Sequence, residues 1–360
     1  MVFDDVLEIR NGRNQKAVEN PDGKYPIYGS GGIIGRADDY ICDAETVVIG
    51  RKGNINKPIF VEEPFWNVDT AFGLEANKTV LLPRYLYYFC VNYDFEKHNK
   101  TVTIPSLTKA DLLKIQINLP SLVEQKDIVD KLQLAEKIIY RRRQELDTFD
   151  RLIKARFVEL FGDPINNPMN WDTDSVEALC DNIYGGGTPS KSHPEYYENG
   201  NIPWVSSKDM KTDIICDSQI HINQLGVDNS TAQMVPVNSM IMVIRSGILK
   251  HTLPVAVNAV PVTVNQDLKV FIPSERLLTK FMAVQFKILE KDILSGVRAV
   301  TADNIEFNSL KRRKLIVPPI EKQRRYVDFI SHVNKSKSVV QKSLDETQVL
   351  FDSLMQKYFG

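Results

Sequence analysis

A chain of 360 residues, 43% hydrophobic and 25% charged, has an ordinary soluble composition, and each half is long enough to bury a core of its own. Its four cysteines, Cys42, Cys90, Cys180 and Cys216, lie far apart, which argues against a disulfide framework and a zinc site and suits a reducing cytosol. No signal peptide is legible and no apolar run approaches the ~18 residues that span a bilayer. The formal net charge of −1 counts mildly against nucleic acid, but a local basic patch binds phosphate whatever the total.

In chain order, residues 1–118 read as a mixed α/β domain, with strand runs Thr46-Val47-Val48-Ile49 and Pro58-Ile59-Phe60-Val61 between Gly, Asn and Asp turns. Spacer segment 119–162 follows, with a long helix over about 121–160. Gly162-Asp163-Pro164 is its stop signal and Asn166-Asn167-Pro168 a loop. The next domain, 163–316, is again mixed, with strands at Met240–Ile244 and Leu268–Ile272. A second spacer, 317–360, carries a helix over 319–359.

The chain states its plan twice. Pro120-Ser121-Leu122-Val123-Glu124-Gln125 returns as Pro318-Pro319-Ile320-Glu321-Lys322-Gln323, a shift of 198 residues. The same shift carries Thr103 onto Thr301, Leu146-Asp147 onto Leu344-Asp345 and Phe161-Gly162 onto Phe359-Gly360. So long a period is a duplicated domain plus helix, not a solenoid. Both helices carry a heptad seam. The first runs through Ile128, Leu132, Ala135, Ile139, Arg142, Leu146, Phe149, Ile153, Arg156 and Leu160. The second runs through Tyr326, Ile330, Val333, Lys337, Val340, Leu344, Thr347, Phe351, Leu354 and Tyr358. A seam this long predicts a coiled coil, a rod of about 60 Å at ~1.5 Å per residue. The polar members Arg142, Lys337 and Thr347 weaken each helix but can fix register.

Catalytic signatures are missing. There is no glycine-rich S-adenosylmethionine loop and no Asn/Asp-Pro-Pro-aromatic tetrapeptide. Gly185-Gly186-Gly187-Thr188-Pro189-Ser190-Lys191 lacks the Gly-Lys-Ser/Thr ending of a P-loop. Glu124-Gln125-Lys126 imitates a nuclease Glu-x-Lys, but its repeat reads Lys322-Gln323-Arg324, so helix capping or surface charge explains it better. No metal or cofactor is implied.

Binding candidates survive. Val47-Val48-Ile49-Gly50-Arg51-Lys52-Gly53 matches Ile241-Met242-Val243-Ile244-Arg245-Ser246-Gly247: an apolar strand emptying into Arg-x-Gly. Such an arginine can read guanine through O6 and N7, or can be a structural partner of Asp69 or Asp267. Tyr25–Gly32 and Ile202–Lys208 supply hydroxyls and a lysine suited to phosphate and base-edge contacts. The candidate DNA-binding set is Tyr28, Ser30, Arg36, Arg51, Lys52 and Lys57 in the first copy. In the second it is Thr188, Lys191, Ser206, Ser207, Lys208, Arg245, Ser246 and Lys250. The basic clusters Arg141-Arg142-Arg143 and Lys311-Arg312-Arg313-Lys314 suit solvent, a phosphate backbone or an acidic partner.

The doubled Pro-x-x-x-x-Gln segment, the stretch from Arg141 to Pro164, Tyr28–Gly32, Gly50-Arg51-Lys52-Gly53 and Gly186–Ser190 together resemble the specificity subunit of type I restriction-modification systems over essentially the whole chain. The resemblance implies an α+β fold with a pseudo-two-fold repeat: two target-recognition domains separated by two long helices paired as an antiparallel coiled coil. It implies a non-catalytic cytoplasmic subunit, away from membranes. Each domain would read one half of a split site in double-stranded DNA, and helix length would set the gap. Two methyltransferase subunits would dock and methylate adenine, and two motor-nuclease subunits can join. Segments 101–162 and 299–360 would form ruler and docking surface, with Gln125, Ile139, Arg142, Leu146, Phe161, Gln323, Val340, Leu344 and Phe359 as spacer or docking residues. One departure is that Trp171 precedes the first strand of the second copy while the first copy opens at Val2-Phe3, which puts the edge packing of the first domain in question. Two rival readings stay open: the specificity subunit of a single-polypeptide enzyme cutting on both sides of its site, and a duplicated coiled-coil protein scaffold.

Overall fold

The computed structural model describes residues 1–99, 104–296, 298–299 and 303–360; the match of Thr103 with Thr301 falls outside them. The chain forms two compact units. Unit 1 is residues 1–145 with 340–360, and unit 2 is residues 146–339. Each unit therefore holds one mixed domain and part of each long helix. The helices run Leu122–Phe161 and Ile320–Phe359.

In unit 1, strands β1 (Leu7–Asn11), β2 (Tyr25–Gly29), β3 (Gly32–Ala37), β4 (Thr46–Gly50), β5 (Ile59–Val61), β6 (Trp66–Asn67) and β7 (Ala71–Ala76) make two sheets. One is antiparallel, in the order β1-β7-β4-β5. The other is β3-β2-β6, with β2 and β6 parallel. β4 is buried along its whole length, as its β-branched run Thr-Val-Val-Ile demands. Its side chains pack with Phe3, Phe72, Leu74 and the helix Pro83–Asn92, and with Ile128, Val129, Leu132 and Met355 from the long helices.

Unit 2 repeats the plan with β8 (Thr173–Ser175), β9 (Cys180–Gly185), β10 (Ile202–Val205), β11 (Ile214–Ile215), β12 (His221–Ile222), β13 (Met240–Val243), β14 (Val255–Asn258), β15 (Thr263–Val264), β16 (Leu268–Pro273), β17 (Arg298–Ala299), β18 (Asp303–Asn304) and β19 (Lys314–Ile316). The main sheet is β11-β14-β13-β16-β9, and β10 pairs with β15 in parallel as β2 does with β6. The duplication is thus structural, but its shift drifts. Val205 stands 178 residues beyond Ile27, Arg245 stands 194 beyond Arg51 and Gln323 stands 198 beyond Gln125. Most of the extra residues of unit 2 fall between β10 and β13, where β11, β12 and the helix Gln224–Asp228 lie. The edge of the first domain is not left open. Val2 bridges to Gln116, where unit 2 pairs β8 with β19 over three residues.

The long helices begin and end for local reasons. The Ser121 backbone N–H donates to the Glu124 carboxylate (2.9 Å) and the Glu124 N–H to Ser121 Oγ (3.3 Å), a capping box. The Ser121 hydroxyl, which also donates to that carboxylate (2.6 Å), and the Ser121 N–H hold the Glu124 carboxyl below its usual range. The capping role accounts for the Glu-x-Lys imitation. Gly162 ends the helix at φ 76°, and a Cβ there would lie 2.7 Å from Pro168.

Within each unit the two helices pack on each other. In unit 1 the seam residues Ile128, Leu132, Ala135, Ile139, Val340 and Leu344 are buried. In unit 2, Lys337 pairs with Asp150 at 2.5 Å, and the Tyr326 hydroxyl donates to the Ile153 carbonyl at 2.8 Å. The heptad phase slips near the C-terminal ends. Phe157 and Met355, 198 residues apart, are buried where the seam named Arg156 and Leu354. A straight helix drifts ~20° per heptad against a 3.5-residue repeat, and here the apolar stripe turns onto the domain core. Phe157 packs against Phe161, Phe281 and Tyr326. Burial lifts the Tyr326 hydroxyl well above its ordinary pKa. Tyr326→Phe leaves the Ile153 carbonyl without this partner and is expected to cost unit 2 about 1 kcal/mol, read as faster amide hydrogen exchange within that unit.

The glutamine of each repeat is fully buried. Gln125 Oε1 accepts from the Leu82 N–H (2.8 Å), and Nε2 donates to the carbonyls of Val80 (2.8 Å) and Pro120 (2.9 Å). Gln323 repeats this with the Leu278 N–H (2.9 Å) and the carbonyls of Arg276 (3.0 Å) and Pro318 (2.8 Å). Each glutamine ties the start of a long helix to the start of a shorter one, Pro83–Asn92 or Thr279–Ile288, by bonding one N–H and two carbonyls of the segments that lead into them.

Candidate nucleic-acid interface

In unit 2, β13 runs out into Arg245, whose Nε donates to Asp267 Oδ1 at 2.7 Å, with Nη2 at 2.6 Å. Asp267 is held in turn by Asn265 Nδ2 (3.3 Å) and by its own N–H on Asn265 Oδ1 (3.1 Å). The structural partnership of Arg245 with Asp267 is thus realised, yet the arginine stays half-exposed. Two glycines let the next loop pass. A Cβ on Gly186 would sit 1.9 Å from the Val264 carbonyl oxygen, and one on Gly187 2.2 Å from Thr231 Oγ1. Trp204 Nε1 anchors this loop by donating to the Gly187 carbonyl (2.9 Å), and the Thr188 hydroxyl donates to Gln266. The Asn265 N–H donates to the Val205 carbonyl (2.9 Å).

Thr188, Ser206 and Arg245 are therefore brought to one end of the sheets. Their polar groups are partly engaged: Ser206 Oγ bonds Asp209 (2.8 Å), and Ser246 Oγ caps the turn Gly247–Lys250. Lys191, Lys208 and Lys250 are exposed on neighbouring loops, and Ser207 is half-buried.

Unit 1 builds a similar end with different parts. The β2–β3 tip lies beside the turn after β4: a Cβ on Gly31 would be 3.4 Å from Asn54 Nδ2, and one on Gly53 3.8 Å from Ser30 Oγ. Gly53 itself has φ 81°. Arg51 donates its backbone N–H to Thr70 (2.8 Å), and its guanidinium lies 5.7 Å from the Phe72 ring centre. Among the described residues Arg51 makes no ion pair, so Asp69 does not play the part of Asp267. Tyr28 is half-buried edge-on to Phe65 (5.3 Å), and burial raises its pKa. Ser30, Arg51 and Lys52 thus come together, with Lys57 exposed further along the loop. Arg36 does not join them. It pairs with Pro26 at the other end of the hairpin, and its Nε and Nη2 donate to the carbonyls of Gly23 (2.6 Å) and Lys24 (2.7 Å).

Gln125, Gln323 and Phe161 are buried in their own units, and Ile139, Val340 and Leu344 in the seam. Arg142 pairs with Glu145 (2.8 Å), Leu146 is half-buried, and Phe359 packs on Tyr85 (5.0 Å). The outward apolar side chains of the long helices are others, among them Val123, Leu134, Tyr140, Val349 and Leu350 in unit 1 and Leu152, Val158 and Val339 in unit 2. They lie off the heptad seam, so the seam pattern does not reveal them. Asn54, Asn265 and Gln266 also stand at these ends, and none of them is among the candidates read from the sequence. Among the described residues no group of three or more His, Cys, Asp or Glu could hold a metal ion, and no helix is long and apolar enough to cross a membrane.

Residues 2–148 and 168–346 match the family described as type I restriction modification DNA specificity domain. The chain is 31% identical over 271 residues to the Escherichia coli type I restriction enzyme EcoR124I/EcoR124II specificity subunit, covering 71% of this chain and 64% of that protein. It is 22% identical to the Methanocaldococcus jannaschii MjaIX specificity subunit, covering 86% and 74%. The fold matches the S subunit of a type I system from M. genitalium (TM-score 0.66, 16% identity, 100% and 95% covered). It also matches a chain from a structure of complex assembly and conformational transition in the type I system (TM-score 0.58, 17% identity, 100% and 96% covered). With two matched segments that together take in most of its length, the chain belongs to the type I restriction-modification DNA specificity family.

Proposed function

We propose that this chain is the non-catalytic DNA-recognition subunit of a type I complex, working in the cytoplasm. Each unit reads one half of a bipartite duplex site. The paired helices set the gap and dock two methyltransferase subunits that methylate adenine, and motor-nuclease subunits can join for restriction. The observation that carries this reading is the duplicated strand end, with Arg51 or Arg245 delivered beside a glycine loop and hydroxyl or amide groups. The long helices leave apolar side chains exposed off the seam, Tyr140, Leu134, Val339 and Val349 among them, on which a docking partner could close.

The test is duplex binding by the chain co-purified with its methyltransferase. Selective binding that weakens steeply with salt supports the reading. Assembly without any DNA binding leaves a protein scaffold instead. Arg245→Ala is expected to weaken binding roughly tenfold and to relax the sequence preference of one half-site only, with subunit assembly intact. An unchanged motif and affinity removes Arg245 from the DNA face.

A further inference from the structure

One cross-strand row distinguishes the two units. In unit 1 it reads Val48–Gly73–Arg10, and in unit 2 Met242–Lys269–Gly185. Glycine and cation have changed strands. In unit 1 the cation is neutralised: Arg10 pairs with Glu75 (2.9 Å) and Glu8 (2.8 Å). In unit 2 Lys269 lies across Gly185, where a Cβ would come within 2.6 Å of Nζ. Among the described residues no carboxylate pairs with it.

Lys269 is instead set over the ring of Phe307, 4.8 Å from its centre, with Lys311 Nζ 5.5 Å from the same centre. Lys311 is itself held by Glu177 (2.7 Å). Partial burial and the charge of Lys311 push the Lys269 pKa below the ordinary lysine value. Two like charges against one aromatic ring, one of them without a carboxylate partner among the described residues, leave a local excess of positive potential that an anion would relieve. The ring attracts each cation by only ~0.5–1 kcal/mol at an exposed site. The position is telling too, because Gly185 leads directly into Gly186-Gly187-Thr188, and Asp267, partner of Arg245, stands two residues before Lys269.

We propose that Lys269, with Lys311 across Phe307, is a phosphodiester-binding site of unit 2 that has no counterpart in unit 1. The proposal rests on the DNA reading above and adds to it an asymmetric backbone contact. A backbone contact positions the duplex without reading sequence. Removing it should therefore lower affinity and leave the methylated motif unchanged.

The experiment measures the dependence of duplex affinity on salt for the complex with the methyltransferase, using a duplex that carries its methylation motif. Lys269→Gln is expected to bind roughly tenfold more weakly at low salt and to lose about one unit from the slope of log K against log salt. Lys269→Arg keeps both. Arg10→Gln, in the neutralised row, leaves the slope unchanged, and thermal melting confirms that each variant is folded. If the wild-type complex shows no salt-dependent duplex binding, the DNA reading itself fails. If it does and Lys269→Gln matches it in slope and affinity, the site is not a phosphodiester contact. Nor is it one where that variant loses only its thermal stabilisation by inorganic phosphate, which would make this a site for a free anion.

Discussion

Gln125→Leu is expected to destabilise unit 1 by roughly 3 kcal/mol or more, and Gln323→Leu to do the same to unit 2. The amide of each glutamine is fully buried and makes three bonds to backbone groups. Leucine fills much the same volume but leaves one N–H and two carbonyls without these partners, and each unsatisfied buried group costs ~1–3 kcal/mol. Because the chain has two units, a single unfolding midpoint is a poor readout. Amide hydrogen exchange separates them: Gln125→Leu should speed exchange along Pro83–Asn92 while Thr279–Ile288 keeps its protection, and Gln323→Leu should do the reverse. Gln125→Glu adds a pH test. A buried carboxyl facing two carbonyls has its folded pKa raised. The protonated acid still donates at low pH, and stability is lost as pH rises past the ordinary glutamate value of ~4.3. If both leucine variants exchange like wild type, the glutamines are not fasteners.

The second large effect concerns the gap between half-sites. Adding one helical turn, four residues, within 128–160 lengthens a helix by about 6 Å. With base pairs ~3.4 Å apart, that change is expected to widen the permitted gap by one to two base pairs and to leave both half-site sequences alone. The insertion must keep apolar residues on the seam that buries Ile139, Val340 and Leu344, since a turn that rotates the stripe tests folding rather than spacing. An insertion complex that methylates only the original spacing contradicts the ruler.

Much of the architecture was legible in the sequence because duplication and periodicity are local signals. The repeat around Gln125 and Gln323 located the helix starts within a residue, and the apolar runs located β4, β13 and β16. What it could not give is where a satisfied polar group spends its bonds. Gln125 and Gln323 look like surface residues at the start of a helix and are in fact buried fasteners. Arg36 reads as a cation near a glycine loop, yet its guanidinium is used up on Gly23 and Lys24 at the opposite end of the hairpin. Lys269 is inconspicuous within an apolar strand, because its meaning lies in Gly185, Phe307 and Lys311, which only the folded chain brings beside it. The drift of the repeat shift hid corresponding positions, so Gly73 and Lys269 could be equated only once strand pairing was known.

Long-read mapping of methylated adenines in cells expressing this chain with its methyltransferase tests the central claim most directly. The account predicts one asymmetric motif, two fixed blocks separated by a constant stretch of unspecified bases, with an adenine modified in each block and all of it lost when the chain is withdrawn. A contiguous motif, or adenine modification indifferent to the presence of the chain, would contradict it.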